Sequence, residues 1–239
     1  MSTTMEHIDR KSLYTSLEAR IDYLHKFLDF DDRDLEALAF GSKFVKDLIP
    51  AVVHIVYRKL LQFDITARAF EIRDTRSEAP LESVLDDDSP ELQERKNFLN
   101  SYLTKICSDQ SKMAFWEYLD NVGAMHVGLR RSKPLRVEYI HISATLCVIQ
   151  HVLTESILSH SVLPMSRRVA MVKALSKVIW IQNDLFAKWC VRDGEEFTGG
   201  AAAMARADHL ASAGDVPLKE SAVSTCPFSG MASGVQSQV

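Results

Sequence analysis

Strand signals are what this sequence has least of. No stretch of its 239 residues alternates apolar and polar side chains far enough to build a half-buried strand, and helical spacing dominates. Glycine (9) and proline (7) are scarce before residue 193, so few points there force a turn. The four cysteines, Cys107, Cys147, Cys190 and Cys226, show no CxxC spacing. That argues against a disulfide scaffold and a zinc site, and the cysteines inside helical patterns read as small core hydrophobes. Charge of one sign is also missing. Lys plus Arg number 28 against 32 Asp plus Glu, a net of −4, which gives no general attraction to nucleic acid or an anionic membrane. Residues 1–10 are polar and lack the apolar stretch of a signal peptide. The richest apolar region, residues 140–158, is interrupted by His141, Gln150, His151 and Glu155, short of the ~20 apolar residues of a membrane span. The expectation is a soluble, cytoplasmic protein.

What is present is helix after helix. Ser12 is placed to cap a first helix reaching about Phe30, with Leu13, Leu17, Ile21, Leu24 and Leu28 on one face. Asp31 or Asp32 opens a second through Leu38 and Ala39, and residues 43–63 read as a third. Pro50 falls inside the third and predicts a kink or restart. A short helix follows over residues 65–71, then a charged, proline-bounded loop over 73–90. Further helices are expected from Pro90 through Ile106, over 113–125, from Pro134 to about His160 and from Pro164 to about Val191. Beyond Asp193 the composition shifts to Gly, Ala and Ser. Residues 1–192 therefore read as one helical domain and 193–239 as a disordered tail. About eight helices in that length, with two long antiparallel partners at the end, fit an all-α, globin-like packing of crossed helices.

One imidazole stands out, in Asn121-Val122-Gly123-Ala124-Met125-His126-Val127-Gly128-Leu129. A neutral imidazole on an apolar helix face can ligate haem iron axially. Val122, Met125 and Leu129 supply apolar walls, Phe115 lies on the aromatic run just upstream, and Gly123 and Gly128 would let a flat macrocycle approach the backbone. The same His126 can equally be a structural residue, and Tyr57 a core tyrosine bonded to a carbonyl.

Three blocks resemble the globin-sensor and protoglobin family, whose globin fold carries an extra N-terminal helix. They are the run from Arg20 to Phe30 followed by Asp34, Leu35 and Leu38; the run from Ile49 to Leu61, with Val56-Tyr57 and the Leu60-Leu61 pair; and Tyr118 to Leu129, similar to the proximal-histidine signature. The resemblance spans roughly residues 15–190. It implies haem b (iron protoporphyrin IX) with His126 as the proximal, metal-binding ligand and Tyr57 as the distal hydrogen-bond donor to a bound gas. It also implies Phe98 as a dry distal ceiling and Val56 where some protoglobins carry tryptophan. The ligand is a diatomic gas, O2, CO or NO, for sensing, storage or detoxification. The last two long helices form a dimer bundle in related sensors, so a homodimer follows from the resemblance. No His and Arg acid–base pair and no flavin or nicotinamide segment is evident, so dedicated catalysis is not expected. A weak NO dioxygenase or peroxidase-like activity would need a separate reductase, and sensing a signalling partner. A non-haem, globin-like protein-interaction module is the alternative. Cys226-Pro227 resembles the dipeptide of haem-regulatory motifs.

Overall fold

The computed structural model describes residues 5–81 and 89–199. Among these the chain forms α1 (Arg10–Thr15), α2 (Leu17–Phe27), α3 (Asp32–Leu60), α4 (Asp64–Glu71), α5 (Pro90–Ile106), α6 (Met113–His126), α7 (Tyr139–Leu158), α8 (Met165–Cys190) and α9 (Glu195–Thr198). No strand occurs among the described residues; only isolated bridges join Arg136 to Asp74 and to Val127. Helices α7 and α8 pack on one another, and α8 also lies against α3 and α6. The core between them is built from the inward rows of each helix: Val45, Ile49, Val52 and Val56 of α3, Leu146, Ile149 and Leu153 of α7, Leu175, Val178 and Leu185 of α8. These rows repeat every three or four residues, which is why each helix hides one side.

Four boundaries differ from the sequence expectation. The first helix is two, because Ser16 takes an extended backbone (φ −122°, ψ 120°) and its hydroxyl accepts the Ala19 N–H at 3.2 Å, starting α2 afresh. Asp9, not Ser12, caps α1, accepting the Ser12 N–H at 3.0 Å. The second and third helices are one. A capping box at Asp31 and Asp34 opens α3, with Asp31 N donating to Asp34 Oδ2 at 3.1 Å, and the helix then runs unbroken for 29 residues. It passes Pro50 without a restart, because Pro50 and Lys46, whose carbonyl loses its partner, both lie on the exposed side where water can serve it. Finally, α7 starts at Tyr139, not Pro134. The residues before it are extended and pinned: Arg136 N donates to Arg73 O (2.8 Å), Thr75 N to Arg136 O (3.1 Å) and Val137 N to His126 O (2.9 Å).

Two features bear on what lies outside the fold. By length and composition alone, α7 is long and apolar enough to cross a membrane, contrary to the sequence expectation; the polar residues within it are uncharged apart from Glu155. Its row Ile142, Leu146, Ile149, Leu153 and Ile157 is buried in the core. At the other end of α8, Gly194 turns the chain at φ +78° and α9 packs back on α1, where the Tyr14 and Phe197 rings stack 6.3 Å apart and Arg10 pairs with Glu196. Residues 200–239, with Cys226, lie outside the described residues.

Candidate functional site

His126 is the last residue of α6, and the chain fixes it from three sides. The helix start is held by Trp116, whose Nε1 donates to Gln110 O at 3.1 Å and whose ring meets Phe115 edge-on at 4.8 Å. The helix end is closed by Gly128 at φ +90°, with Leu129 N donating to Ala124 O at 3.1 Å. That is a Schellman-type stop, which needs a residue comfortable in the left-handed region. The His126 carbonyl meanwhile accepts from Val137.

The ring is fixed as tightly as the backbone. Nδ1 lies 2.8 Å from the Val122 carbonyl, one turn earlier. A carbonyl can only accept, so the proton sits on Nδ1 and Nε2 keeps its lone pair. Nε2 has no hydrogen-bond partner among the described residues. Burial pushes the imidazole down to about 4, opposed in part by the Val122 bond, so the ring is neutral at physiological pH. It packs edge-on against Phe186 of α8 at 5.2 Å between centroids. Although it lies deep in the protein, the ring is only half-buried, because it borders a cavity.

That cavity has a volume of about 150 Å3. Val56, Tyr57 and Leu60 line it from α3, Phe98, Leu99 and Tyr102 from α5, Ile142, Leu146 and Ile149 from α7. A groove of about 300 Å3 adjoins it between α3, α4 and α7, sharing Val56, Leu60, Thr66, His141 and Thr145. The Tyr57 phenol is buried, tilted against Phe70 at 5.4 Å, and pushed well above the usual tyrosine range by desolvation. It is therefore a neutral O–H, with no hydrogen-bond partner among the described residues.

Of the residues singled out in the sequence, His126, Tyr57, Phe98, Val56 and Val122 meet at this one cavity. Phe115, Met125 and Leu129 do not line it. Phe115 is buried beside Trp116, Met125 faces Asn121 with Nδ2 to Sδ at 3.8 Å, and Leu129 closes the helix. The glycine reading needs correction. A Cβ on Gly123 would stand 2.8 Å from Leu185 O and 3.0 Å from Trp189 Cδ1, so its bare backbone faces α8, not the cavity, and Gly128 serves the helix stop. Sequence reasoning missed Arg95, Tyr102, Arg131, His141 and Phe186, all of which line the cavity. Arg95 stands one turn before Phe98, a spacing that was there to be read.

The chain matches the Protoglobin family over residues 17–196. It is a member of the protoglobin family. Among solved structures it is similar to the globin domain of the globin-coupled sensor of Geobacter sulfurreducens, at 16% identity and a TM-score of 0.56, covering 70% of this chain and 95% of that one. The fold is accordingly globin-like, with α1 and α2 preceding the long α3. No curated protein matches the chain.

The globin family implies a haem, and the residues of this protoglobin fit one. Apolar side chains form most of the cavity wall, and one imidazole bordering it carries a lone pair and no competing partner. Among the described residues no three His, Cys, Asp or Glu side chains converge as a metal cluster, so a single axial imidazole is the ligand set on offer.

Proposed function

We propose that this protein binds a diatomic gas, O2, CO or NO, at haem b, with His126 as the proximal ligand and Tyr57 as the distal hydrogen-bond donor. The observation that carries the reading is the His126 ring: Nδ1 committed to Val122 O, Nε2 unpartnered, the cavity beside it. The haem supplies the iron that coordinates both Nε2 and the gas. The Val122 bond holds the imidazole in the ligating tautomer and fixes its plane. Val56, Phe98, Leu146 and Ile149 keep water away, which slows oxidation of a ferrous centre. The Tyr57 O–H donates toward the partial negative charge a polar gas ligand develops.

The test is an absorption spectrum of the haem-loaded protein in its ferric, ferrous and ferrous-CO forms, with Tyr57→Phe alongside. A Soret band that shifts with CO is expected. Tyr57→Phe should keep the CO shift and release O2 roughly tenfold faster, the loss of one good hydrogen bond. A folded, colourless protein overturns the reading and favours a protein-interaction module.

We also propose a homodimer through the outer face of α7 and α8. Ile140 (68% exposed) and Cys147 of α7 and Val162 (82% exposed), Val169 and Trp180 (58% exposed) on and beside α8 leave an apolar strip uncovered. A second copy would bury such a strip, and its surplus of apolar residues accounts for the membrane-like composition of α7. Sedimentation should give twice the chain mass, and Trp180→Glu should shift it to the monomer. A monomeric wild type, or recovery only with membranes, overturns the dimer.

A further inference from the structure

Three arginines crowd one edge of the cavity with no described carboxylate to balance them. Arg95 (α5) and Arg131 (in the segment between α6 and α7) line it, and Arg73 stands close enough to lower the charge tolerance of both. None of the three takes part in an ion pair among the described residues, though the protein is net negative. Glu94 is the one described carboxylate whose field reaches Arg95 and Arg131, and it is exposed and unpaired with either.

Arg95 is the acute case. Its Nη2 is fully buried and has no hydrogen-bond partner. Desolvation, added to repulsion from Arg73 and Arg131, brings its guanidinium down to about 10. A buried donor on a charged group is costly to leave unmade. The backbone around the cluster is itself held out of its ordinary range. Arg73 sits at φ +66° and Arg130 at φ +54°, both left-handed without being glycine. Arg73 is kept there by donating Nη2 to Lys133 O at 2.8 Å and Nε to Pro134 O at 3.1 Å, which also spends its fork on neutral carbonyls. Arg131 lies over the Phe98 ring at 5.8 Å, so it borders the same wall.

We propose that Arg95 and Arg131, backed by Arg73, form a carboxylate-binding rim of the cavity, completed by the acid groups of the ligand that enters it. The planar fork of arginine suits a carboxylate, and a rim at one edge of an apolar slot suits a ligand that is apolar over most of its body and acidic at one edge. This rests on the macrocycle reading above. It adds the requirement that the macrocycle be recognised through its carboxylates and not only through its metal.

The test uses the full-length, haem-free protein and metal-free protoporphyrin IX, which cannot bond to His126, followed by quenching of tryptophan fluorescence. Its dimethyl ester is the uncharged control. Wild type should bind the diacid roughly tenfold to a hundredfold more tightly than the diester. Arg95→Gln should remove most of that gap and leave diester binding unchanged; Arg131→Gln should remove part of it. Arg95→Lys should recover part of the gap, since it keeps the charge and loses the fork. The haem-free Arg95→Gln protein should melt no lower than wild type, because a buried, unpartnered cation has been removed, whereas a merely structural arginine would lower the melting temperature. Equal affinity of wild type and Arg95→Gln for the diacid overturns the rim and leaves the macrocycle reading standing. If neither porphyrin binds but succinate raises the melting temperature of wild type and not of Arg95→Gln, the rim holds free carboxylates and the macrocycle reading falls. If no acid binds in either form, the rim is overturned.

Discussion

His126→Ala will fold as wild type does and lose its haem. The ring supplies the only imidazole nitrogen prepared for the iron, and the alanine leaves an apolar space beside Phe186 with nothing in it to coordinate. Under conditions in which wild type is saturated, the variant should show at most a weak, broadened Soret band, and added free imidazole should restore the shape of the wild-type spectrum. A variant with an unaltered spectrum would move the ligand elsewhere. The same substitution isolates an acid sensitivity of the haem-free chain. His126 has a folded value near 4 against an unfolded value near 6.5, so the unfolded state binds the extra proton first. The stability tied to the neutral ring is fully present above about pH 6.5 and drains away as pH falls toward 4. The difference amounts to roughly 3 kcal/mol, and buried His25, also pushed down by desolvation, acts in the same direction. Urea midpoints at pH 7 and pH 4.5 should therefore differ by less in His126→Ala than in wild type.

Gly123→Val will cost about 3 kcal/mol or more, and Gly123→Ala about 1–2, read from urea unfolding. The reason is the neighbour. The first atom a new Cβ meets is the backbone oxygen of Leu185 at 2.8 Å, followed by the Trp189 ring at 3.0 Å, and neither can withdraw without moving α8. The contact is locked further by Asp120, one turn earlier on α6, whose Oδ1 accepts from Lys188 Nζ at 2.7 Å and Trp189 Nε1 at 3.0 Å. Gly41→Ala is the control. There too the nearest atom would be 2.8 Å away, but it is Met171 Cε, the free end of a flexible side chain. Met171 can swing aside, and the gain in helix propensity, up to about 1 kcal/mol, should leave Gly41→Ala neutral or slightly stabilising. If both alanine variants lose the same amount, the close approach of α6 to α8 is not what Gly123 is for.

The contrast between these glycines shows which parts of the structure the sequence exposes. Helical spacing of Val52, Val56 and Leu60, or of Leu146, Ile149 and Leu153, is a local property, and the helices appear where that spacing predicts. So does the gathering of His126, Tyr57 and Phe98, because the resemblance to protoglobins carried their positions. What was not legible depends on contacts between distant segments. The Pro134 start of α7 gave way to hydrogen bonds with Arg73 and His126, which no window around residue 134 contains. Gly123 looked like access for a ligand because its neighbour in space, Leu185, is far away in the chain. Arg95 read as one more charge on an exposed helix face until Arg73 and Arg131 were seen beside it. Pro50 illustrates the reverse case: a strong local rule was overridden because the residue points to water.

The unbroken length of α3 turns the helix into a ruler. Its zero mark is the Asp31–Asp34 box, clamped to α8 by Lys177 Nζ at 2.7 Å from Asp34 Oδ2, and Tyr57 is a graduation near the far end of a rod about 44 Å long. Inserting or deleting one residue anywhere between them would turn the phenol about 100° around the rod and shift it about 1.5 Å along it, out of the cavity. Point changes on the outer side of α3 are cheap by comparison, and changes in length between α4 and α5 leave the graduation untouched. Among related chains, the number of residues from the Asp31 equivalent to the Tyr57 equivalent should therefore be held fixed while their loops grow and shrink.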